Sequence, residues 1–522
     1  MKNKYKTCTN NRTNTNITKQ QKLEKEYVLP IHNILYKEET IPFLKSLLKL
    51  LNDNISVGNI LYSVSYILLG FKLKEFNYLD KNLHITIPDN TKKENDLMGT
   101  IYQYLSAKNI RLAKGSFYTS NKMIEEIVSH LNIKDTDVIL DPACGSGNLL
   151  FNSKITNPEQ IIGIDNDELA ILCCITNYYI KFKNTNIKPQ IYKCDFGQYI
   201  SKNKLKVDYI LCNPPYGANI DVSAFSLNDY YEDSLEYFIR YSATISLKKS
   251  IYILPENILN IKKYTNLRKW ILSNSNIECI NSYGSTFSGT MFPIISLILN
   301  NEKSDYFYYD NKKINKNIIN KIPFNYIRPI SKEDEIFIDK IFTKKKYSLS
   351  DSIFALGIVT GNNKEKLLDK KVYNSEPIIT GKDITKYKIK EPSKFIIYDR
   401  NNLQQVAPDN LYRNDEKIVY KTVSRNMNFA IDTTKSLTLN SANFFIKRNI
   451  PISSKCLIGL LNSQVYEKLN KLLYGENKIG RINLENLPIP YIDENIQIMI
   501  EKLIDDEKYD EIDKIISQLF DL

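Results

Sequence analysis

The sequence has few of the residues that build metal sites and hydrolytic triads. It contains only three histidines, and none of its eight cysteines forms a Cys-x-x-Cys pair. These absences argue against a structural zinc site and a Ser-His-Asp triad, and no metal is expected. No apolar run reaches the ~18 residues of a membrane span, and the N-terminus lacks the apolar core of a secretory signal. We therefore expect a cytoplasmic protein with reduced cysteines and no membrane contact.

The composition is that of a large globular protein. The chain has 522 residues, of which 43% are hydrophobic and 25% are charged. At roughly 150 residues per domain, this length predicts about three domains. Lys and Arg number 71 against 59 Asp and Glu, which gives a net charge of +12. That balance permits a polyanionic partner without requiring one.

The pattern of apolar residues changes along the chain and predicts four segments. Residues 1–24 are a basic, flexible tail, and 25–108 show helical spacing of apolar residues. In 109–330, short β-branched runs alternate with helical ones, which favours a parallel sheet covered on both faces. Residues 331–522 combine short strands with many turns.

A strand that runs into a glycine turn marks the first candidate ligand site. The strand Val138–Leu140 leads into Asp-Pro-Ala-Cys-Gly-Ser-Gly, residues 141–147. Glycines at such a turn let backbone N–H groups approach a ligand that a side chain would block. On its own, this turn is a weak indication of a nucleotide site.

Acidic residues follow the next two predicted strands. Asp165 stands where a carboxylate can accept hydrogen bonds from ribose hydroxyls. Its alternative role is to cap the following helix, which Asp167 could do instead. Asp195 and Phe196 follow the third strand, and this pair could hold an adenine by its exocyclic amine and its face.

The segment Asn213-Pro214-Pro215-Tyr216 decides the interpretation. It follows the apolar strand 208–212, and two successive prolines force the chain to leave the sheet in a rigid loop. The amide oxygen of Asn213 and the carbonyl of Pro214 are two acceptors beside the flat ring of Tyr216. Such a set can grip a planar group that carries an amine, and it offers no nucleophile for covalent catalysis.

These motifs, in this order, resemble the gamma-class (TaqI-like) N6-adenine DNA methyltransferases of restriction-modification or orphan systems. The resemblance extends over about residues 95–490 and includes a helix before the first site and segments of a recognition domain. The matching segments there are DLMGTIYQYL (96–105), GSFYTS (115–120), PIITGKDITKY (377–387) and LTLNSANFFI (437–446). The implied fold is α/β: a Rossmann-like class I methyltransferase sheet, an N-terminal helical region and a C-terminal mixed α+β target-recognition domain.

The resemblance also implies a reaction. S-adenosylmethionine would donate a methyl group to the N6 amine of an adenine that leaves the DNA duplex. Asn213 and Pro214 would accept the amine hydrogens. Tyr216 and Phe287 would stack on the two faces of the base, with Phe292 as the alternative to Phe287. The residues expected to hold the cofactor are Tyr118, Thr119, Asp141, Ala143, Gly145, Gly147, Asp165, Asp195 and Phe196.

The C-terminal part divides by charge. Residues 361–450 hold 17 basic and 10 acidic residues, whereas 451–522 hold 8 and 13. The basic stretch lies where the resemblance places contacts with double-stranded DNA. Each lysine taken singly is also explained as an ordinary solvated side chain. The candidates for DNA contact are Lys364, Lys366, Lys382, Lys386, Lys421 and Arg425.

Three alternatives stay open. Asn-Pro-Pro-Tyr also occurs in enzymes that methylate ribosomal RNA or glutamine, although those usually lack a large recognition domain after the sheet. A catalytically silent DNA-binding subunit would not need the set from Tyr118 to Tyr216. An N-terminal nuclease has little support, because Pro88-Asp89 is followed by no Glu-x-Lys. We expect a monomer, and a separate restriction endonuclease as partner is left open.

Overall fold

The computed structural model describes residues 40–53, 55–78, 83–106, 121–216, 233–284, 293–424, 426–475 and 479–522. The chain forms two compact units, 1–313 and 314–522. The division between them lies earlier than the 330/331 boundary that the sequence predicts, and the N-terminal helices belong to the first unit. The predicted tail 1–24 and the candidate residues Tyr118, Thr119, Phe287 and Arg425 lie outside the described residues.

A nine-stranded sheet forms the centre of the first unit. Its strands are β1 (Ile139–Asp141), β2 (Ile161–Asp165), β3 (Gln190–Lys193), β4 (Val207–Cys212), β5 (Ser246–Pro255), β6 (Asn276–Gly284), β7 (Ile294–Asn300), β8 (Tyr306–Tyr309) and β9 (Lys312–Asn315). Their order is β3-β2-β1-β4-β5-β7-β6-β8-β9. Strands β1 to β5 pair in parallel, whereas β7 runs antiparallel to both β5 and β6. The predicted α/β class is confirmed.

Helices cover this sheet. They are α1 (Ile41–Asn52), α2 (Val57–Leu69), α3 (Leu97–Leu105), α4 (Asn121–Ser129), α5 (Asn148–Asn152), α6 (Glu168–Lys181), α7 (Phe196–Lys202), α8 (Ser234–Ile245) and α9 (Thr265–Asn274). The sequence shows why they begin and end there. Ser56 caps α2 by accepting from the Asn59 N–H at 3.2 Å, and Gly70 ends that helix in the left-handed region.

The interior of the first unit follows from the apolar strands. Every residue of β7 is buried, as are all those of β2 except its last. Helices α2 and α3 both pack against α6. The N-terminal helical region therefore shares one apolar core with the sheet.

The second unit begins with helices and then builds three small sheets. Its helices are α10 (Lys316–Lys321), α11 (Lys332–Thr343), α12 (Asn363–Lys366), α13 (Asp409–Tyr412), α14 (Ser454–Asn462), α15 (Gln464–Tyr474), α16 (Arg481–Glu485), α17 (Glu494–Asp505) and α18 (Tyr509–Leu519). Its strands are β10 (Lys345–Tyr347), β11 (Ile353–Ala355), β12 (Leu367–Leu368), β13 (Glu376–Ile379), β14 (Lys394–Ile396), β15 (Lys417–Lys421), β16 (Phe429–Asp432), β17 (Leu437–Thr438), β18 (Ala442–Ile446) and β19 (Ile489–Pro490).

The strands of the second unit pair as β11-β18-β15-β16, β12-β14-β13-β17 and β10-β19. Short strands and helices alternate here, as the mixed α+β prediction requires. Among the described residues, no helix is both long and apolar enough to cross a lipid bilayer. The described side chains also contain no cluster of His, Cys, Asp and Glu that could bind a metal ion.

An ion pair lies in the interior of the second unit. The side chains of Lys417 on β15 and Asp432 on β16 are both 0% exposed, and Lys417 Nζ lies 2.5 Å from Asp432 Oδ2. Lys417 also donates to the carbonyl of Tyr412 at 2.7 Å, and Asp432 accepts from the Thr434 N–H at 2.8 Å. These bonds offset the cost of removing both charges from water.

Replacing one member of this pair should destabilise the second unit strongly. Lys417→Met leaves the Asp432 carboxylate buried without its counter-charge, so the free energy of unfolding should fall by about 3–5 kcal/mol. Lys388→Met is the matched control, because Lys388 pairs with Glu507 at the surface and should leave stability close to that of the wild type. Denaturant titration of both variants measures the difference. Equal stability of the two would contradict the importance of the buried pair.

Candidate functional site at the carboxyl ends of four strands

The four motifs singled out in the sequence all follow strands of one parallel group. In the order β3-β2-β1-β4, each strand is parallel to its neighbour. Parallel neighbours end at the same edge of a sheet, so the loops after them are adjacent. This edge therefore brings together Asp141, Asp165, Asp195 and Asn213. The chain order reverses between β1 and β4, which is where open α/β sheets bind ligands.

The first loop follows β1 and crosses to the end of β2. Asp141 is buried, and its Oδ1 accepts from the N–H of Ala143 at 3.0 Å. The N–H of Cys144 donates to the carbonyl of Ile164 on β2 at 2.9 Å, and the N–H of Gly147 returns to the Cys144 carbonyl at 2.7 Å. The loop is thus a compact turn anchored to two strands.

The two glycines of this loop serve different needs. Both have positive φ, +54° at Gly145 and +83° at Gly147, where L side chains are strained. A Cβ at Gly147 would lie 2.1 Å from a ring carbon of Phe151, so this glycine also permits close packing of α5. Among the described residues, a Cβ at Gly145 would meet no atom within 4 Å. The described residues therefore leave space beside Gly145 where a ligand can approach the backbone.

Asp165 ties the first loop to the second. Its Oδ2 accepts from the N–H of Gly145 and its Oδ1 from the N–H of Asp167, both at 2.9 Å. Asp167 itself caps α6 by accepting from the Leu169 N–H at 3.0 Å. The sequence allowed either Asp165 or Asp167 as the cap of α6, and in the structure the cap is Asp167.

The carboxylates at this edge influence each other. Burial raises the pKa of Asp141 well above its usual range, and the like charge of Asp165 adds to the increase. A positive charge on a ligand in this region would oppose that effect.

The third loop begins with Asp195, which caps α7. Its Oδ1 accepts from the N–H groups of Gly197 at 2.8 Å and Gln198 at 3.3 Å. The adjacent Phe196 ring is only 2% exposed and stacks on Phe238, with centroids 5.6 Å apart and planes 5° from parallel. One face of the ring is thus already covered by protein.

Sequence reasoning did not predict that helix α8 contacts this loop. Phe238 and Tyr237 both lie on α8, and the Tyr237 hydroxyl donates to Asp195 Oδ1 at 3.4 Å. Burial raises the pKa of Tyr237, so the hydroxyl keeps its proton. These residues carry no motif, and only their position after a long connection brings them to Asp195.

The fourth loop holds the amide and the aromatic ring close together. Asn213 is half-buried directly after β4, and Pro214 is buried. The Tyr216 hydroxyl lies 2.8 Å from Asn213 Oδ1 and 3.0 Å from the carbonyl of Ile253 on β5. Burial raises the pKa of Tyr216 well above its usual range. The hydroxyl therefore keeps its single proton, which it can donate to either of these two oxygens, and the Asn213 amide is one of them.

The candidate DNA-binding lysines differ in their surroundings. Lys364 and Lys382 are exposed, and Lys366 and Lys421 are half-buried. Lys386 forms an ion pair with Glu467 on α15, with Nζ and Oε1 3.0 Å apart. Its charge is partly neutralised by this contact, so Lys386 is the weaker candidate among these residues.

Two family models match the chain. The N-6 DNA Methylase model matches residues 93–352, which include all four loops. The model of the TaqI-like C-terminal specificity domain matches residues 376–489 in the second unit. Together they match parts of both compact units and leave helices α1 and α2, residues 353–375 and the C-terminal helices α17 and α18 outside their ranges.

Curated relatives and solved structures agree with these models. The type II methyltransferase M.VspI of a Vibrio species is 26% identical over 330 residues, which span 59% of this chain and 79% of that protein. The type I restriction enzyme MjaVII methylase subunit of Methanocaldococcus jannaschii is 24% identical over 220 residues, 39% of this chain and 36% of the subunit. The DNA complex of the type IIL restriction-modification enzyme MmeI has a similar fold, with a TM-score of 0.57 at 13% identity over 91% of this chain and 90% of that one.

The methylase model covers the loops that meet at the sheet edge, and the specificity model covers the mixed second unit. The chain belongs to the N6-adenine DNA methyltransferases of restriction-modification type, with a TaqI-like specificity domain.

Proposed function

We propose that this enzyme uses S-adenosylmethionine to methylate the N6 amine of an adenine that has left the DNA duplex at a specific site. One observation carries the proposal. The amide oxygen of Asn213, held by the Tyr216 hydroxyl, lies at the end of β4, next to the glycine loop at the end of β1. An acceptor for an amine is thus adjacent to a loop open to a ligand.

The residues of the glycine loop and its neighbours fit the cofactor. The open space beside Gly145 admits a ligand, and the carboxylate of Asp165 at the end of β2 is proposed to accept hydrogen bonds from ribose hydroxyls. Asp195 with Phe196 is proposed to hold the adenine of the cofactor. When bound, S-adenosylmethionine supplies an electrophilic methyl group on a cationic sulfur. Tyr118 and Thr119 stay predicted contacts of its methionine end.

The fourth loop is proposed to activate the amine. Asn213 Oδ1 and the Pro214 carbonyl accept hydrogen bonds from its two N–H groups, which makes the nitrogen lone pair more available. The Tyr216 ring stacks on one face of the base and Phe287 on the other, each contributing roughly 1–3 kcal/mol. The base must leave the duplex because its amine cannot reach the loop while the base is paired and stacked.

The second unit is proposed to supply DNA affinity and sequence choice. Its basic stretch 361–450 would neutralise phosphates, which gives a salt-dependent affinity for double-stranded DNA. Irregular loops between short strands would read base edges. Incubation of the protein with labelled S-adenosylmethionine and DNA, RNA or protein tests the substrate class. Modified-base mapping in DNA from cells that express the chain then gives the site.

Asn213→Ala should abolish methyl transfer and leave cofactor affinity nearly unchanged. The substitution removes the proposed acceptor for the base amine, and none of the cofactor contacts proposed above involves Asn213. The measurements are single-turnover transfer at saturating DNA and calorimetry with S-adenosylmethionine. Asn203→Ala, at the exposed end of α7, is the matched control and should behave as the wild type. Comparable turnover by Asn213→Ala would refute the assignment.

Tyr216→Phe separates the hydroxyl from the ring. The variant keeps the stacking face and loses the donor that orients Asn213, a neutral hydrogen bond worth about 0.5–1.5 kcal/mol. We expect kcat to fall about two- to tenfold while cofactor affinity stays constant. An unchanged kcat would show that the proline-rigid loop alone orients the amide.

Asp165→Ala should weaken cofactor binding. A hydrogen bond to a charged group is worth about 1.5–3 kcal/mol, so Kd should rise at least about tenfold. Calorimetry with S-adenosylmethionine measures this effect. Asp89→Ala, which removes an exposed carboxylate paired with Lys92, is the control. Unchanged affinity in Asp165→Ala would mean that Asp165 only links the two loops.

A further inference from the structure

We propose that helix α3 of the N-terminal region positions both cofactor loops, with Asp96 and Tyr102 as positioning residues. The inference rests on the proposed use of S-adenosylmethionine. It assigns a role to helices that precede the sheet and carry no motif for chemistry. The structure supports it through two separate side-chain contacts, one from each end of α3.

Asp96 reaches the glycine loop from the start of α3. Its side chain is 2% exposed, and its Oδ1 accepts from the Gly99 N–H at 2.9 Å, which caps the helix. Its Oδ2 accepts from Ser146 Oγ at 2.5 Å, and Asn177 Nδ2 on α6 donates to Oδ1 at 2.7 Å. Three donors therefore converge on one buried carboxylate, more than a helix cap requires.

Ser146 is the residue between the two glycines of the loop. Asn177 donates to its backbone carbonyl at 3.0 Å as well, so both its side chain and its main chain are held. A Cβ at Gly99 would lie 2.3 Å from Asp96 Oδ2 and 2.4 Å from Ser146 Oγ. Only glycine at position 99 lets α3 come this close to the loop.

Tyr102 reaches the second loop from the second turn of α3. Its hydroxyl donates to Asp167 Oδ2. Asp167 uses its other oxygen to cap α6 and its N–H to bond Asp165 Oδ1 at 2.9 Å. Burial and the charge of Asp167 raise the pKa of Tyr102, so the donor persists at any physiological pH.

These contacts connect α3, the first loop and the second loop to one another in a ring. Helix α3 holds Ser146 in the first loop and Asp167 in the second, and Asp165 joins the loops through the Gly145 N–H at 2.9 Å. Irregular loops lose conformational entropy when a ligand orders them. Because α3 orders these loops during folding, the loss of entropy occurs before the cofactor binds and does not weaken its affinity.

A purely structural role of α3 makes a different prediction. Leu97, Met98 and Ile101 anchor the helix in the core, and loss of packing would lower stability without acting on the loops in particular. Tyr78 offers a matched comparison. Its hydroxyl donates to Glu168 Oε1 at 3.0 Å, on the first residue of α6, and among the described residues it hydrogen-bonds neither Ser146 nor Asp167.

The test uses the full chain with four variants. Asp96→Ser keeps a capping side chain too short to reach Ser146, whereas Asp96→Asn keeps the length and hydrogen-bonding shape. Tyr102→Phe and Tyr78→Phe each remove one hydroxyl. The measurements are the Kd of S-adenosylmethionine by calorimetry, KM for DNA, the unfolding midpoint, and amide hydrogen exchange of 141–148 and 165–169 without cofactor.

We expect Asp96→Ser and Tyr102→Phe to raise Kd about tenfold, with KM for DNA unchanged. Exchange should accelerate at 141–148 in the first variant and at 165–169 in the second. Asp96→Asn should restore affinity to within about threefold of the wild type, and Tyr78→Phe should match it.

Wild-type affinity and wild-type exchange in both Asp96→Ser and Tyr102→Phe would overturn the inference. An equal loss of affinity in Tyr78→Phe would overturn it too, because any contact to α6 would then have the same effect. If the wild-type protein binds no S-adenosylmethionine, the proposed cofactor is wrong. Faster loop exchange in the two variants would still support the positioning role.

Discussion

The arrangement of this enzyme depends on parallel pairing of four strands. Because β3, β2, β1 and β4 all run in one direction, their carboxyl ends form a single edge, and every loop with chemical groups emerges there. Backbone hydrogen bonds between the strands fix the spacing of these loops before any side chain is considered. Asp165 then converts two separate loops into one surface by accepting from both.

Rigidity at this edge comes from several directions. Two prolines stiffen the loop after β4, and the hydroxyl of Tyr216 fixes the amide that they present. Helix α8 supports the third loop from beyond a long connection, and α3 supports the first two from the N-terminal side. A methyl transfer that relies on hydrogen-bond acceptors needs such rigidity, because misplaced acceptors lose their directional advantage.

The second unit follows a different construction. Its sheets are small, its strands are short, and a buried ion pair links β15 and β16 in its interior. A lysine and an aspartate that must meet in the interior disfavour other registers of these two strands. The irregular loops of the second unit can then differ in sequence while the pairing of these two strands stays the same.

The sequence by itself determined the α/β class and the places of the four loops, because strand-glycine, strand-acid and strand-Asn-Pro-Pro patterns are local. Proline restricts φ and glycine permits positive φ in any fold, so these two features can be predicted without tertiary information. It also left Asp165 and Asp167 as alternative caps for α6. Tertiary structure decided between them, showed that Phe238 covers one face of Phe196, and paired Lys386 with Glu467. Asp96 and Ser146 are 50 residues apart in the chain, and no periodicity or spacing connects them. Their contact exists only because α3 packs against α6 at the end of the sheet, where long-range packing brings distant polar groups together.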